Sequence, residues 1–291
     1  MLEAGSSAAV LGASGFIGSA IARALEHRGT ACARYTRAEP FMIDGQLAPE
    51  LQSADVVFWL VSSIRPATSD AADRATADQS ALQLLLDRLA ERPRSPRVVA
   101  VSSGGTVYDT ATRPPYHEAS PTRGANAYGE AMLAVEQLLR DRAPDHVVLR
   151  ASNAYGPGQP ARRGQGVIAH WIDSIRREEP IRLIGDPEIR RDYLFIDDLV
   201  DALLRSAFVP GAPAVVNIGS GVGTSLRELS EELRDVVGGL VEMEAAPARS
   251  FDAPSTWLDV SLAASTLGWH PSTDLHSGLA ATWKAAIAAD R

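Results

Sequence analysis

The chain has 291 residues, of which 45% are hydrophobic and 22% charged, so it can fill the core of one large domain or two small ones, and disorder is excluded as its dominant state. Its 36 acidic against 28 basic side chains leave a net charge of −8, which argues against a nucleic-acid-binding surface but allows a local basic pocket for one phosphorylated ligand. One cysteine, Cys32, excludes an internal disulfide framework. No apolar run approaches the ~20 residues of a membrane helix, and the first residues lack the basic start of a secretory signal, so a cytoplasmic protein is expected.

In chain order, Ala8–Leu11 reads as a buried strand, and Ser19–His27 as a helix with Ile21, Ala24 and Leu25 on one face. Ala31–Tyr35 is a second strand. Ala54–Val61 is a third, apolar without alternation, as a strand covered on both faces should be. An amphipathic helix follows over Gln79–Ala90, then a strand over Arg97–Ser102, a helix over Tyr128–Arg142 and a strand over His146–Arg150. This alternation predicts parallel βαβ units in an α/β, Rossmann-type doubly wound sheet. Beyond Ala154 the pattern loosens through Gly156, Gly158, Gly164 and Gly166. Val167–Arg177 reads as a helix, Tyr193–Ala207 as strand then helix, and Ala214–Ile218 as a strand returning to the first sheet. The expected division is a dinucleotide-binding domain over 1–155, with returning segments at about 192–220, and a smaller substrate lobe over 156–191 and 221–291.

The run Gly12-Ala-Ser14-Gly15-Phe16-Ile17-Gly18 follows the first strand and opens the first helix. A tight turn, a bare backbone facing a diphosphate and close helix–strand packing all require glycine at this spacing. A fold of this kind that prefers NAD places a carboxylate at the end of the second strand, against the ribose 2′-hydroxyl. Thr36 stands there instead, followed by Arg37, and no acidic residue competes before Glu39. A guanidinium with a hydroxyl neighbour suits a 2′-phosphate, so NADP(H) is favoured over NAD(H); the bland alternative is a solvated arginine at a loop start. Asp44 joins these residues as a candidate cofactor contact. The six histidines show no metal-ligand spacing, and Asp197 and Asp198 read as capping and as a complement to the helix dipole at a helix start.

Several blocks in order carry a resemblance: Gly12–Gly18, Ser102–Tyr108 (SSGGTVY), Tyr128–Met132 (YGEAM), Arg150–Gly156 (RASNAYG), Gly164–Ile168, Arg191–Tyr193, Val216–Gly221 (VNIGSG) and Arg249–Asp252. Together they resemble the extended short-chain dehydrogenases/reductases, the family of nucleotide-sugar epimerases, dehydratases and ketoreductases. The resemblance runs the whole length. It implies a nicotinamide cofactor, a nucleotide-linked sugar substrate, and hydride transfer coupled to proton transfer through a tyrosine. In that family's pattern a lysine follows the tyrosine by four residues and lowers its pKa. A Ser or Thr four residues before the tyrosine of the Ser-Ser-x-x-x-x-Tyr segment binds the reacting oxygen.

Tyr128 matches the first role, but Met132 stands at the lysine position and Gly104 at the hydroxyl position. Neither can supply the missing group. Ser103 and Thr106 flank the gap as substitute hydroxyls, and Met132 also reads as ordinary core packing. By the same resemblance, Arg191 and Arg249 would hold the substrate diphosphate. Asn153 would lie beside the diphosphate and sugar, Gln165 beside the base, and Asp252 on the nucleotide ribose.

A free phenol titrates near ~10, so without a cation Tyr128 should stay protonated at neutral pH. A protonated phenol can give a proton to a ketone but cannot take one from an alcohol. The leading expectation is therefore NADPH-dependent reduction of a keto group of a nucleotide sugar, at C4 by resemblance alone. The second is a nucleotide-sugar 4-epimerase. The third is a catalytically impaired NADP(H)-binding sensor or scaffold, which Gly104 and Met132 keep open. A homodimer through the helices at 79–90 and 128–142 is implied by resemblance, with no nucleic-acid or membrane partner.

Overall fold

The computed structural model describes residues 6–65, 68, 70–161, 166–239, 241–248 and 255–289. The first βαβ unit is β1 (Ser7–Leu11), α1 (Phe16–His27) and β2 (Ala31–Tyr35). A hairpin of β3 (Met42–Ile43) and β4 (Gln46–Leu47) and the short α2 (Pro49–Ser53) lead to β5 (Val56–Trp59). Then come α3 (Ala71–Ala90), β6 (Arg97–Ser103), α4 (Ala127–Arg142), β7 (His146–Ala151), β8 (Asn153–Tyr155), α5 (Val167–Arg176), β9 (Ile181–Ile184), β10 (Arg190–Arg191) and β11 (Tyr193–Phe195). The chain continues through α6 (Ile196–Phe208), β12 (Val215–Ile218), β13 (Thr224–Ser225), α7 (Leu226–Val237), β14 (Met243–Ala246), α8 (Ser261–Leu267) and α9 (Leu275–Ala288).

Six parallel strands form the central sheet in the order β12-β7-β6-β5-β1-β2. Strand side chains alternate between the two faces, and here both faces are apolar. Ala8, Val10, Val56 and Phe58 enter one core with Ile21 and Leu25 of α1 and Leu199 and Leu203 of α6. Ala9, Leu11, Val57 and Trp59 enter the other with Leu82, Leu85 and Leu89 of α3 and Val135 and Leu139 of α4. The fold is therefore the doubly wound α/β sheet expected from the sequence. The chain turns from β1 to β2 on one side and then returns to the other side with β5. That reversal opens a crevice beyond the carboxyl ends of β1 and β5, where ligands of such sheets bind.

Some element boundaries and one capping assignment differ from expectation. α3 starts at Ala71 rather than at residue 79, because its first turns bury only Ala71 and Ala75, residues too small to mark a periodic face. β5 ends at Trp59, where Leu60 turns its carbonyl toward Gly12. α1 starts at Phe16, inside the glycine run itself. Asp198 does not cap its own helix. Its Oδ1 accepts Ser272 N at 3.0 Å and Ser272 Oγ at 2.5 Å, and its Oδ2 accepts Thr273 N at 3.0 Å, which fastens α6 to the segment before α9.

Outside the main sheet, β8 pairs in parallel with β11, β9 with β14, and β10 antiparallel with β13. No helix among the described residues is long and apolar enough to cross a membrane.

Candidate active site

The glycine run forms a cradle at the mouth of the crevice. Gly12 and Ala13 both donate their N–H to Tyr35 O, at 3.0 and 3.1 Å, which bends the chain sharply after β1. Gly12 has φ +90°, and a Cβ there would lie 2.6 Å from Leu60 O. A Cβ on Gly18 would lie 2.1 Å from Gly12 O, so α1 can sit this close to the loop only without a side chain. Gly15 caps α1 with no side-chain hydrogen bond, and the first turn holds no acidic residue. The start of α1, with its N-terminal amides and the positive end of its dipole, follows the exposed Ser14 and carries no acidic side chain in its first turn, a combination that suits a dinucleotide diphosphate. Phe16 and Ile17 are half-buried against the core below.

At the end of β2, Thr36 Oγ accepts N–H from Ala38 at 3.2 Å and Glu39 at 3.1 Å. The hydroxyl therefore shapes the turn that presents Arg37. Arg34 pairs with Glu26, whereas Arg37 is exposed and makes no ion pair among the described residues. Asp44 lies at the tip of the β3–β4 hairpin with φ +49°, and Gly45 follows at +76°, the pattern of a two-residue Asp-Gly turn. The turn alone accounts for an aspartate at this position.

Tyr128 lies in the first turn of α4. Asn126 caps that helix, its Oδ1 accepting Gly129 N at 3.0 Å. Gly129 lets the helix start press on the 103–107 turn, since a Cβ there would meet Thr106 O at 2.2 Å. Thr106 O also accepts Ala125 N at 2.7 Å, and Ser103 O accepts Thr106 N at 3.2 Å and Val107 N at 3.1 Å. The structure thereby brings Ser103, Thr106 and Tyr128 to one corner. Thr106 Oγ is buried with no hydrogen-bond partner among the described residues. The Tyr128 hydroxyl makes no hydrogen bond to them either. Loss of hydration around the Tyr128 ring pushes its phenol up to about 12, against an opposing pull from the charge of Arg65.

The two departures from the family pattern are filled by packing. Met132 is buried in an apolar cluster with Val107, Tyr108, Tyr116 and Leu258, against which Tyr128 also lies. Gly104 is buried under Leu258, so that a Cβ at 104 would be 2.6 Å from Leu258 Cδ1 and 3.0 Å from Arg150 O. The space that a serine side chain would take is held by a leucine from the far end of the sequence. That leucine is fixed through its backbone: Leu258 N donates to Asp192 Oδ2 at 3.3 Å, Tyr116 N to Trp257 O at 3.0 Å, and Asp259 N to Tyr116 O at 2.8 Å. The contact is invisible in any local reading of the sequence.

A buried polar network lies behind this corner. Arg150 on β7 grips Glu136 on α4 through two bonds, Nε to Oε1 at 3.0 Å and Nη2 to Oε2 at 2.7 Å. Ser102 Oγ donates to Glu136 Oε1 at 2.6 Å. Arg150 Nη1 donates to Tyr108 OH at 3.2 Å, and Tyr108 OH donates to Asn217 Oδ1 at 2.5 Å. The arginine also lies over the Tyr108 ring, 5.0 Å from its centre. Burial disfavours the Arg150 charge, but the Glu136 carboxylate and the Tyr108 phenol together outweigh it and raise the Arg150 pKa above its ordinary value. The network locks α4, β6, β7 and β12 together behind Tyr128, and it was not anticipated from the sequence.

Of the candidate substrate residues, Gln165, Arg249 and Asp252 lie outside the described residues. Asn153 of β8 aligns with Tyr193 of β11, whereas Arg191 lies on β10, opposite Thr224 of β13. Asn153 is exposed, and its N and Nδ2 both donate to Asp192 O, at 3.0 and 2.9 Å. Arg190 is taken up by Glu228 on α7, at 2.9 and 3.0 Å. Arg191 is half-buried and donates to Arg190 O at 3.0 Å. Asp192 holds the junction: its Oδ1 accepts Ser220 N and Oγ, both at 2.7 Å.

The model of the NAD-dependent epimerase/dehydratase family matches residues 8–219. The chain belongs to this family. Among relatives of this epimerase/dehydratase family member, a UDP-glucose 4-epimerase of Mycolicibacterium smegmatis is 36% identical over 204 residues, covering 67% of this chain and 64% of that one. A dTDP-4-dehydro-6-deoxyglucose reductase of Escherichia coli is 33% identical over 187 residues, covering 63% and 59%. The alignments thus span less than two thirds of either relative. Among solved structures, UDP-glucose 4-epimerase from Thermotoga maritima with UDP-glucose superposes with a TM-score of 0.88 at 26% identity, covering 98% and 100% of the two chains. MoeE5 in complex with UDP-glucose and NAD superposes at 0.85 with 27% identity, covering 98% and 100%.

Proposed function

We propose that this protein reduces a keto group, at C4, of a nucleotide-linked sugar, with NADPH as the reductant. The observation that carries this reading is the state of Tyr128. A phenol pushed up to about 12 is a proton donor throughout the neutral range. NADPH supplies the hydride when bound. Gly12, Ser14, Gly15, Phe16, Ile17 and Gly18 would hold its diphosphate by the backbone, with Thr36 and Arg37 turned to the 2′-phosphate and Asp44 nearby. Thr106, with Ser103 beside it, would donate to the substrate carbonyl oxygen and orient it toward Tyr128. The phenol then gives its proton to that oxygen as the carbon gains hydride, leaving an alcohol. Asn153, Arg191, Arg249, Asp252 and Gln165 would hold the nucleotide diphosphate and base, in a lobe formed by 156–191 and 221–291. A homodimer through α3 and α4 fits the exposed Leu84 on α3.

The test is consumption of NADPH with a panel of 4-keto nucleotide sugars. Turnover that Tyr128→Phe abolishes supports the reading. A preference for NADPH over NADH that Arg37→Ala removes supports the cofactor assignment, and equal use of both by the wild type rejects it. The likeness to the Mycolicibacterium smegmatis epimerase favours a second reading, interconversion of 4-hydroxyl epimers on a retained cofactor. Epimer exchange without added cofactor would establish it in place of the first. NADPH binding without turnover on any substrate would favour a sensor or scaffold.

A further inference from the structure

A single residue, Asp192, separates β10 from β11, and it is 1% exposed. Its Oδ1 accepts Ser220 N and Oγ, both at 2.7 Å, and its Oδ2 accepts Gly221 N and Leu258 N, both at 3.3 Å. Gly219 makes room for the carboxylate, since a Cβ there would lie 2.5 Å from Asp192 Oδ2 and 3.0 Å from the carboxyl carbon. A carboxylate this far from water is costly unless its oxygens are hydrogen-bonded. The donors that meet this cost are neutral groups on the β12–β13 turn and on the segment before α8, so one side chain anchors both segments.

The ties of Asp192 lead to different parts of the site. Its main-chain carbonyl accepts N and Nδ2 of Asn153, at 3.0 and 2.9 Å, and Arg191 directly precedes it on β10. The segment 256–259 runs from there to the reaction corner. Thr256 N donates to Arg190 O at 3.0 Å, Leu258 N to Asp192, and Asp259 N to Tyr116 O at 2.8 Å. The side chain of Leu258 covers Gly104 and packs with Val107 and Met132 in the cluster against which Tyr128 lies. The backbone around two candidate substrate contacts and the wall of the Tyr128 corner are thus referred to one buried carboxylate.

We propose that Asp192 is a positioning residue: by holding the substrate lobe and the Leu258 wall to one point, it sets where the nucleotide-bound sugar stands relative to Tyr128. The proposal rests on the reading of Asn153 and Arg191 as substrate contacts. Asp192 acts through Asn153, Ser220 and Leu258, and no bond to it forms or breaks in the reaction. Such a residue matters because a misplacement of about 1 Å between reacting groups can cost on the order of a hundredfold in rate.

Two substitutions disturb the anchor in different ways. Asp192→Asn keeps the shape of the side chain but turns one oxygen into a donor, so a backbone N–H of Ser220, Gly221 or Leu258 must face an N–H whichever way the amide lies. Gly219→Ala keeps the carboxylate and presses a methyl group against it. Calorimetry with UDP and with dTDP should show both variants binding the preferred nucleotide at least fivefold more weakly. Their NADPH affinity should stay within twofold of wild type, because the glycine cradle follows β1, in the other half of the sheet from β12. With a 4-keto nucleotide sugar, KM should rise as kcat falls, whereas loss of folded protein lowers kcat alone. Ser220→Ala removes one of the two bonds to Oδ1 and serves should the others fail to fold, with a shift of at least twofold in the same direction. Unchanged nucleotide affinity in folded variants overturns the proposal. So does an equal loss of affinity for the nucleotide and for NADPH, or a wild type that binds neither UDP nor dTDP. The binding measurement needs no turnover, so a wild type that binds UDP or dTDP but reduces no keto sugar fails the reductase reading alone.

Discussion

The packing of Leu258 over Gly104 makes a quantitative prediction. A serine at 104 must place its Cβ 2.6 and 3.1 Å from the two methyl carbons of Leu258. Contacts that close force the leucine off its rotamer, at a cost of about 1–3 kcal/mol for Gly104→Ser. Leu258 is 1% exposed, so Leu258→Ala alone should cost about 2–5 kcal/mol through lost burial and the cavity left behind. In the double variant the new side chain occupies the room that the leucine vacates. It should then be more stable than the sum of the single changes by about 1–3 kcal/mol. The rescue stays partial, because the 3.0 Å approach to Arg150 O remains and that carbonyl belongs to a central strand. Urea unfolding of the four proteins at one temperature measures the cycle, with the midpoint shift read at constant slope. The double variant also regains a hydroxyl four residues before Tyr108, and its keto-sugar turnover should exceed that of Leu258→Ala. Single effects that add to within about 0.5 kcal/mol would refute the account, since the two side chains would then not compete for one space.

Three further outcomes follow from the same corner. Gly129→Ala puts a methyl group 2.2 Å from Thr106 O, a backbone atom, and the forced shift of α4 should lower turnover at least tenfold, measured as kcat/KM for the keto sugar. Met132→Leu should unfold within about 1.5 kcal/mol of wild type, whereas Met132→Lys places an ammonium in an apolar cluster and should lose several-fold more; equal stability of the two would show that residue 132 faces open solvent. Glu136→Ala leaves the buried Arg150 uncompensated and should cost about 3–5 kcal/mol in denaturant unfolding, with Arg150→Leu similarly costly for the orphaned carboxylate.

Much of the scaffold was legible in the sequence because it depends on local rules. Strands buried on both faces, such as Val56–Trp59, must be uniformly apolar, and the glycine run must sit between a strand and a helix. Tyr128 at the start of a helix was legible for the same reason. The ends of elements were less so: the first turns of α3 bury only alanines, which carry no periodic signal. The Asp44-Gly45 pair is also a turn dipeptide, a local signal separate from the expected cofactor contact at Asp44. The environment of the tyrosine was hidden because it is assembled from remote segments. Leu258 reaches Gly104 only through the backbone ties of Asp192 and Tyr116. Ile64 reaches Tyr128 only because the loop after β5 packs on α3 and α4.

The central claim is that Tyr128 is a neutral acid at physiological pH, and its ionisation can be observed directly. Absorbance near 295 nm, recorded between pH 6 and pH 10.5 for wild type minus Tyr128→Phe, isolates this one phenol. With its phenol held at about 12, the difference should stay flat through pH 9 and rise by only a few per cent at the upper end. A full tyrosinate transition near pH 7 would contradict the account and remove the argument for the reductive direction.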